Sequence, residues 1–279
     1  MVEVSCILCG KDDSEPVTVQ NGFRVVRCRG CRLVYANPRP APEELPPLYA
    51  EYHGRWGMDE HSWGELMRGV FRESENLLEG TLNGRKTRRL LDVGCGFGSF
   101  VKIMQSRGWD GEGIDPSPVT VAAARSKGLP VRLGTIESFE APSAAYDVVT
   151  MFYVLEHLPD PMAALKKVHS LLAPGGTVLL RVPDTTPIVR MLAPFGLGKS
   201  LYDPPFHLYD FSPRVLRSML LAAGFETIRT FPGQSTVPSR LGQRVVSVAS
   251  SALARGLYAA SRGRFLLPGV SKTTVARKP

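Results

Sequence analysis

The stretch LLDVGCGFGS, residues 90–99, decides how the chain folds. A short apolar run is broken by Gly94, Gly96 and Gly98, and a helical pattern resumes after them. Alternating glycines permit backbone dihedrals that other residues avoid, and they let a ligand lie directly against the main chain. The stretch therefore predicts a strand, a tight turn and the start of a helix, in the arrangement typical of nucleotide binding.

The segment that follows supplies a carboxylate. Residues 111–115 (GEGID) read as a second short strand that ends at Asp115, 17 residues beyond Gly98. An acid about 20 residues after such a turn commonly binds the ribose hydroxyls of a nucleotide. We expect this role for Asp115, and the alternative is that it caps the helix that begins near Pro116.

Strand and helix patterns alternate through the rest of the chain. Strand patterns lie at residues 131–133, 146–151 and 177–182, with helical patterns between them, and two further strands are expected at 226–231 and 273–277. Strands that alternate with helices of 10 to 15 residues form a parallel sheet with right-handed crossovers. The predicted fold class is therefore α/β with a doubly wound sheet.

The N-terminus contains two CxxC pairs, Cys6 with Cys9 and Cys28 with Cys31. Four cysteines with this spacing can bind one structural Zn²⁺, whereas disulfides are disfavoured in the cytosol. An Asn-Gly dipeptide at 21–22 predicts a hairpin between the pairs. We expect a small zinc ribbon that depends on its metal to fold.

Together, these motifs resemble class I S-adenosylmethionine-dependent methyltransferases, from about residue 86 to the C-terminus. The resemblance implies S-adenosylmethionine as cofactor and a Rossmann-like sheet of seven strands, the last of them antiparallel. A dinucleotide-binding Rossmann domain is the nearest competitor, but it spaces its glycines GxGxxG, and this chain has GxGxG. The motifs are LDVGCGFG (91–98), GID (113–115), YDVV (146–149), EHL (156–158) and LAPGG (172–176).

The same resemblance implies the cofactor-binding residues. Cys95 lies inside the glycine turn, where we interpret it as a small apolar filler rather than a metal ligand or a nucleophile. The implied positions are Asp92, Gly94, Gly96 and Gly98 at the methionine portion, Asp115 at the ribose, Ile136 and Glu137 at the adenine side, and Phe152 at the mouth of the pocket.

Two histidines are candidates for the base that removes the acceptor's proton. His157 with Glu156 follows the fourth strand, and His207 lies in a loop of residues 183–211 that we expect to be a substrate lid. Ligands bind at the carboxyl ends of the strands in such folds. The alternatives are that the Glu156-His157 pair caps the next helix and that His207 only forms hydrogen bonds within its loop.

The zinc ribbon and the LVYANP segment at 33–38 are similar to the N-terminal zinc module of bacterial methyltransferases of sugar and polysaccharide biosynthesis. The similarity implies a small-molecule acceptor, most plausibly a sugar or glycan precursor. A zinc-ribbon RNA methyltransferase is the alternative, because the ribbon is rich in arginine. Nucleic acid is otherwise not an expected partner. A non-catalytic zinc module on a decayed fold is a further alternative, and it is disfavoured because the cofactor residues look complete.

Three domains are expected. Residues 1–47 form the zinc-ribbon module, 48–85 a helical linker or cap, and 86–279 the methyltransferase domain. The aromatic residues of the linker either cover the ligand pocket or simply pack on the domain below it. These aromatics are Tyr49, Tyr52, Trp56 and Trp63.

The net charge of +8 is concentrated at the C-terminal end, since every charged residue after Glu226 is basic. Within this end, residues 238–268 predict an amphipathic basic helix inserted before the last strand. We expect its apolar face to pack on the sheet or on a second subunit in a homodimer, and contact with an anionic membrane surface is the alternative. The sequence shows neither a signal peptide nor a run of apolar residues long enough to span a bilayer, so the expected location is the cytoplasm, with peripheral contact at the inner membrane face.

Overall fold

The structure is a computed structural model, and it describes residues 1–50, 59–81, 87–192, 202–238, 241–268 and 271–279. Part of the expected lid loop, residues 193–201, lies outside the described residues. The same is true of Tyr52 and Trp56 and of the side chain of Tyr49. Trp63 is described, and it packs against a buried apolar cluster.

A sheet of seven strands lies at the centre of the described structure. Its strands are β4 (Arg89–Val93), β5 (Asp110–Asp115), β6 (Val131–Leu133), β7 (Tyr146–Phe152), β8 (Leu172–Val182), β10 (Glu226–Pro232) and β11 (Lys272–Arg277). In space the order is β10-β11-β8-β7-β4-β5-β6. Strand β11 runs antiparallel to both of its neighbours, and the other pairs are parallel. The fold predicted from the sequence is confirmed.

Helices cover the two faces of this sheet. Val178 and Leu180 of β8 belong to one buried cluster, and Leu179 between them belongs to another, as the alternation of a strand requires. The described helices are α1 (Leu45–Ala50), α2 (Glu60–Thr81), α3 (Ser99–Ser106), α4 (Pro118–Arg125), α5 (Pro161–Leu171), α6 (Thr186–Leu192), α7 (Pro213–Ala222) and α8 (Leu241–Ala260). The first face packs against α5 and α7, and the second against α2 and α3.

The N-terminal residues form a second, smaller sheet. It contains β1 (Ser14–Gln20), β2 (Phe23–Cys28) and β3 (Val34–Ala36), and its fourth strand is β9 (Tyr209–Asp210) from far along the chain. Ala36 N–H donates to the carbonyl of Leu208 at 2.9 Å, and Arg39 donates to the hydroxyl of Tyr209. The cysteine-bearing segment is therefore paired directly with the loop that carries His207.

Helix α8 lies between β10 and β11 in the chain and contacts the body through small residues. Ser251 and Ala254 are buried, and the Ser251 hydroxyl donates to the carbonyl of Gly233 at 3.2 Å. By contrast, Val246 is 69% exposed and Leu253 is 57% exposed. The prediction that the apolar face packs on the sheet is wrong, because the serine and alanine stripe allows a closer approach and turns the larger apolar side chains outward.

Candidate active site

The glycine turn between β4 and α3 is shaped by close packing. Gly94, Gly96 and Gly98 all have positive φ angles, of 69°, 53° and 74°. The amides of Gly94 and Cys95 donate to the carbonyl of Ile114 on β5, at 2.8 and 3.1 Å. A Cβ atom at Gly94 would come within 3.0 Å of Val154 Cγ2. The turn thus needs glycine both for its dihedral angles and for space.

Asp115, at the carboxyl end of β5, organises the turn from the other side. One carboxylate oxygen accepts from the amide of Gly96 at 2.8 Å. The other accepts from the amide of Ser117 at 3.0 Å and from the hydroxyl of Thr120 at 2.8 Å. Ser117, not Asp115, is the N-cap of α4. A carboxylate offers about four acceptor positions, so Asp115 can still accept from a ligand hydroxyl.

Asp92 is the second buried carboxylate beside the turn. Its side chain is 2% exposed and accepts from the hydroxyl of Thr150 on β7 at 2.7 Å. Burial, with a smaller contribution from the charge of Asp115, raises the pKa of Asp92 to about 7. Two acids are therefore held next to each other in a region of low polarity.

The other residues implied for the cofactor pocket occupy different environments. Cys95 is 5% exposed and its sulfur packs over Gly113, and burial raises the pKa of its thiol well above the usual value. A thiol that remains protonated is a poor nucleophile, in line with its interpretation as a filler. Ile136 is buried and Glu137 is exposed. The ring of Phe152 packs against Phe71 and Phe100 in the core.

Beyond β7, the chain brings together Glu156, His157 and His207. One potential ligand atom from each lies within 4.8 Å of the others, and the two imidazole rings are 4.7 Å apart in an edge-to-face arrangement. The loop of His207 is fixed by the Leu208 amide, which donates to the carbonyl of Glu156 at 2.8 Å. Two residues 50 positions apart in the sequence are thus held in a single cluster.

Hydrogen bonding and burial affect the protonation of the three side chains in this cluster. His157 Nδ1 donates to the carbonyl of Phe206 at 2.9 Å. Burial lowers the pKa of His207 to about 4, an effect partly offset by a hydrogen bond with the backbone of Tyr202. Glu156 is 0% exposed, and burial, with a smaller contribution from Asp210, raises its pKa to about 8.

The four N-terminal cysteines also lie together. Cys6 Sγ is 3.3 Å from Cys31 Sγ, and Cys9 Sγ is 3.5 Å from Cys28 Sγ. These distances exclude S–S bonds, and all four thiols are free. Zn–S bonds of about 2.3 Å in a tetrahedron place the sulfurs about 3.8 Å apart, so the arrangement fits a structural zinc centre.

The family of the chain follows from comparison with known proteins. A family model described as "Methyltransferase domain" matches residues 63–230, which include the glycine turn, Asp115 and the histidine cluster. The chain belongs to the methyltransferase-domain family.

Curated relatives of this methyltransferase are O-methyltransferases by name. A ubiquinone biosynthesis O-methyltransferase of Xanthomonas campestris pv. campestris is 35% identical over 146 residues, which are 48% of this chain and 61% of the relative. The protein of the same name from Pseudomonas aeruginosa is 34% identical over 135 residues, or 46% of this chain and 58% of the relative. The chain thus matches less than two thirds of the length of these relatives.

Solved structures support the methyltransferase fold. A SAM-dependent methyltransferase of Thermotoga maritima, described as a possible histamine N-methyltransferase, has a TM-score of 0.53 at 16% identity and covers 84% of this chain and 100% of its own. The cyclase SpnF has the same TM-score at 21% identity, covering 87% and 98%. Because a cyclase shares the fold, the reaction must be argued from the residues of the site.

The residues around the glycine turn fit S-adenosylmethionine. Gly94, Gly96 and Gly98 form a cradle of bare backbone at the end of β4. Side chains are excluded from Gly94 and Gly98 by packing, since a Cβ at Gly98 would come within 2.8 Å of Leu129 and one at Gly94 would clash with Val154. Asp115 retains acceptor capacity for a hydroxyl, and Asp92 presents a second carboxylate nearby. The donor and acceptor groups of this cradle match a ligand that carries ribose hydroxyls and an ammonium group.

Two features of the methyltransferase site were not predicted from the sequence. Val154 joins the two halves of the site, because it packs on Gly94 and immediately precedes the turn of Glu156 and His157. Arg181 on β8 is 1% exposed and donates to the hydroxyl of Tyr153 at 3.0 Å. A charged residue next to the end of the apolar strand pattern at 177–182 is the signal that could have identified the second feature.

In the part of the chain that the structure describes, no helix is both long enough and apolar enough to cross a membrane.

Proposed function

We propose that this chain transfers the methyl group of S-adenosylmethionine to a hydroxyl oxygen of a small-molecule acceptor. The observation that carries the proposal is the direct contact between the two halves of the site. Val154 packs on the glycine turn and directly precedes a second turn, residues 155–157, which contains Glu156 and His157. A donor bound in the cradle would therefore lie beside groups that can act on an acceptor's proton.

The cofactor would be held by this chain's own polar groups. In the proposal, Asp115 binds the ribose, while Asp92 and the glycine amides bind the methionine portion. Ile136 lies against one face of the adenine, and the exposed Glu137 lies at its edge. Because the ring of Phe152 is occupied by Phe71 and Phe100, we assign its contact with the ligand to the backbone rather than the ring.

When bound, S-adenosylmethionine supplies an activated methyl group on a sulfonium, so the protein needs mainly to position the acceptor and to remove its proton. The cluster of Glu156, His157 and His207 is assigned to the second task. His157 uses one ring nitrogen to donate to a backbone carbonyl, and the backbone of Tyr202 favours a proton on the ring of His207. The opposite nitrogen of each ring is then an acceptor, as removal of a proton from a hydroxyl requires.

The names of the curated relatives favour oxygen as the acceptor atom. A phenolic hydroxyl of a quinone precursor and a hydroxyl of a sugar or glycan precursor are the two acceptor classes that we propose to compare. Phenols lose a proton more readily than sugar hydroxyls, so a phenolic acceptor places less demand on the base.

The zinc ribbon, proposed as residues 1–47 with Zn²⁺ on Cys6, Cys9, Cys28 and Cys31, has a positioning role in this scheme. Its strand β3 pairs with β9, which begins two residues after His207. The metal would therefore stabilise the acceptor side of the site without taking part in the reaction.

The test combines cofactor binding with product detection. The full chain is titrated with S-adenosylmethionine by calorimetry, and methyl transfer to phenols, nucleotide sugars and bulk RNA is followed by mass spectrometry. We expect micromolar binding, transfer to phenols or sugars, and loss of transfer in His207→Ala with cofactor affinity unchanged. His61→Ala, on the exposed side of α2, is the matched control. Failure to bind the cofactor, full turnover in His207→Ala or exclusive methylation of RNA would each contradict the proposal.

A further inference from the structure

The cluster formed by Glu156, His157 and His207 has the donor set of a metal centre. Two imidazoles and one carboxylate offer ligand atoms within 4.8 Å of one another. Bonds of about 2.0–2.2 Å to nitrogen and oxygen hold neighbouring ligand atoms roughly 2.8 to 3.6 Å apart. The cluster therefore needs to contract by no more than about 2 Å to bind one ion.

The orientation of both histidines matches that of metal ligands. His157 Nδ1 donates to the carbonyl of Phe206 at 2.9 Å, and the backbone of Tyr202 lies near enough to the His207 ring to favour its protonated form. Histidines that bind metals almost always donate their other ring N–H to a carbonyl or a carboxylate, which fixes the tautomer and orients the ring. The structure provides this outer contact for His157 and places a backbone group beside the ring of His207 as well.

The buried carboxyl group requires a partner that the cluster itself does not provide. Glu156 is 0% exposed, and among the described residues neither of its oxygens has a hydrogen-bond partner. Leaving a buried polar group without a partner destabilises the fold, and more so if the group is charged. Neither imidazole of the cluster supplies the missing bond. A cation at the centre of the cluster would satisfy the carboxylate.

We propose that Glu156, His157 and His207 bind one divalent transition-metal cation. Two imidazoles and a carboxylate form a set that suits Mn²⁺, Fe²⁺ or Zn²⁺ better than Mg²⁺, which prefers oxygen ligands. Three protein ligands leave coordination positions open. If the chain is the O-methyltransferase proposed above, the acceptor's hydroxyl oxygen would occupy an open position. The cation would lower the pKa of that hydroxyl, its proton would pass to solvent, and the histidines would assist proton removal as ligands of the cation instead of accepting the proton themselves.

Manganese provides a direct test of this site, because free Mn²⁺ is visible by electron paramagnetic resonance and thiolate-rich zinc centres do not favour it. The full chain, with its zinc content verified, is titrated with Mn²⁺ alone. We expect one ion per chain, and at least a tenfold weaker affinity in Glu156→Gln and His207→Ala. His61→Ala, an exposed histidine outside the cluster, should bind like the wild type. Circular dichroism and the melting temperature establish that each variant is folded.

Equal Mn²⁺ affinity in wild type and Glu156→Gln, or no binding at millimolar Mn²⁺, would overturn the metal site. Methyl transfer that persists after removal of the added metal, with zinc retained, would exclude its role in the reaction. Specific Mn²⁺ binding without any methyl transfer would instead contradict the proposed function and leave the site in place. The two proposals can therefore fail separately.

A second inference rests on a different part of the molecule, the outward face of α8. Leu241 is 77% exposed and Val246 is 69% exposed, and Val245, Val248 and Leu253 extend the same face. The exposed side chains of Arg244 and Arg255 lie along one flank of this surface. Acidic residues are absent from the sequence after Glu226.

From this charge distribution we infer that the outward face of α8 binds an anionic phospholipid surface. An interfacial helix buries its apolar face at the boundary between headgroups and acyl chains, and arginines at its edges bind the headgroup phosphates. A partner protein with a neutral or basic surface would form no favourable charge interaction with these arginines. An anionic lipid surface attracts them through the phosphate of each headgroup.

The test is co-sedimentation of the full chain with phosphatidylglycerol or phosphatidylcholine vesicles. We expect binding to the anionic vesicles only, weakened by salt, and at least a tenfold loss in the double variant Val246→Glu, Leu253→Glu. Val119→Glu is the matched control, since Val119 is 71% exposed on α4. Light scattering follows the oligomeric state. Equal binding by the double variant, or a dimer that this variant disrupts without any vesicle binding, would overturn the inference.

Discussion

The contact between Gly94 and Val154 gives a prediction that can be worked out from the structure. Gly94 has φ of +69°, and a Cβ placed there would come within 3.0 Å of Val154 Cγ2. The left-handed conformation costs an alanine about 1–2 kcal/mol. Overpacking against a side chain that cannot move freely adds about 1–3 kcal/mol. Gly94→Ala should therefore lower the free energy of unfolding by about 2–5 kcal/mol.

Two companion variants separate these contributions. Gly128 has φ of +75° with no atom within 4 Å of its would-be Cβ, so Gly128→Ala reports the dihedral cost alone, about 1–2 kcal/mol. Val154→Ala in the Gly94→Ala background removes the clash and should recover the rest, with a coupling energy of about 1–3 kcal/mol. The measurement is urea unfolding of the wild type, of these three variants and of Val154→Ala alone, which completes the double-mutant cycle. Equal losses for Gly94→Ala and Gly128→Ala, or a coupling energy near zero, would refute the reasoning.

Three further predictions follow from buried groups. Between pH 4 and pH 7, Asp92 is ionised in the unfolded chain but stays protonated in the folded chain, where its pKa is about 7, so the free energy of unfolding falls as pH rises. Asp92→Asn should remove this loss, which is up to about 1.4 kcal/mol per pH unit in urea titrations. Parallel curves of stability against pH for the two proteins would contradict the prediction. Arg181→Met should cost about 3 kcal/mol or more in thermal unfolding, because the hydroxyls of Tyr153 and Thr273 lose their donor, and a wild-type melting temperature would show that the contacts contribute little. Cys28→Ser should lower the zinc content, measured by mass spectrometry of the metal, and should decrease turnover by displacing the loop of His207. The control variant Cys95→Ser should keep its zinc. Full zinc content in Cys28→Ser would exclude the proposed ligand set.

Local patterns predicted most of the main sheet, because its strands and turns carry their own signals. The third strand of the sheet, residues 131–133, was predicted with the bounds observed for β6. The N-cap serine and the proline after it placed the start of α7 at Pro213. The error in β8, which begins at Leu172 instead of residue 177, arose because pairing of Leu172 with Tyr146 overrides the turn signal of the glycines that follow.

Long-range contacts could not be read in the same way. Strand β9 contains only two residues, which is too short for any periodicity, and it exists because Val34 and Tyr35 offer an unpaired edge. The Glu156-His157 pair and His207 were predicted separately, as alternative candidates for the base. Their meeting depends on the hydrogen bond from the Leu208 amide to Glu156, a contact between two loops with no sequence signature.

The orientation of α8 shows a limit of amphipathic patterns. The periodicity correctly located an apolar face and a helix, observed at Leu241–Ala260. It could not indicate which face meets the sheet, because small residues also form a stripe at helical spacing. The hydroxyls of Ser247 and Ser251 bond to backbone carbonyls of the body, and these bonds decide the orientation.

The pairing of β3 with β9 has a consequence for how the chain is made. The N-terminal cysteines leave the ribosome first, but the edge of their sheet is completed only by residues that follow later, such as Tyr209, 170 positions beyond Arg39. At about 5–20 residues per second, this interval lasts roughly 10–30 s. During that time the ribbon is held by the pairing of β1, β2 and β3 and, in the proposed zinc centre, by its four cysteines. If the cysteines bind zinc as proposed, metal capture precedes the pairing that completes the loop of His207, and zinc supply during synthesis affects how many chains complete it.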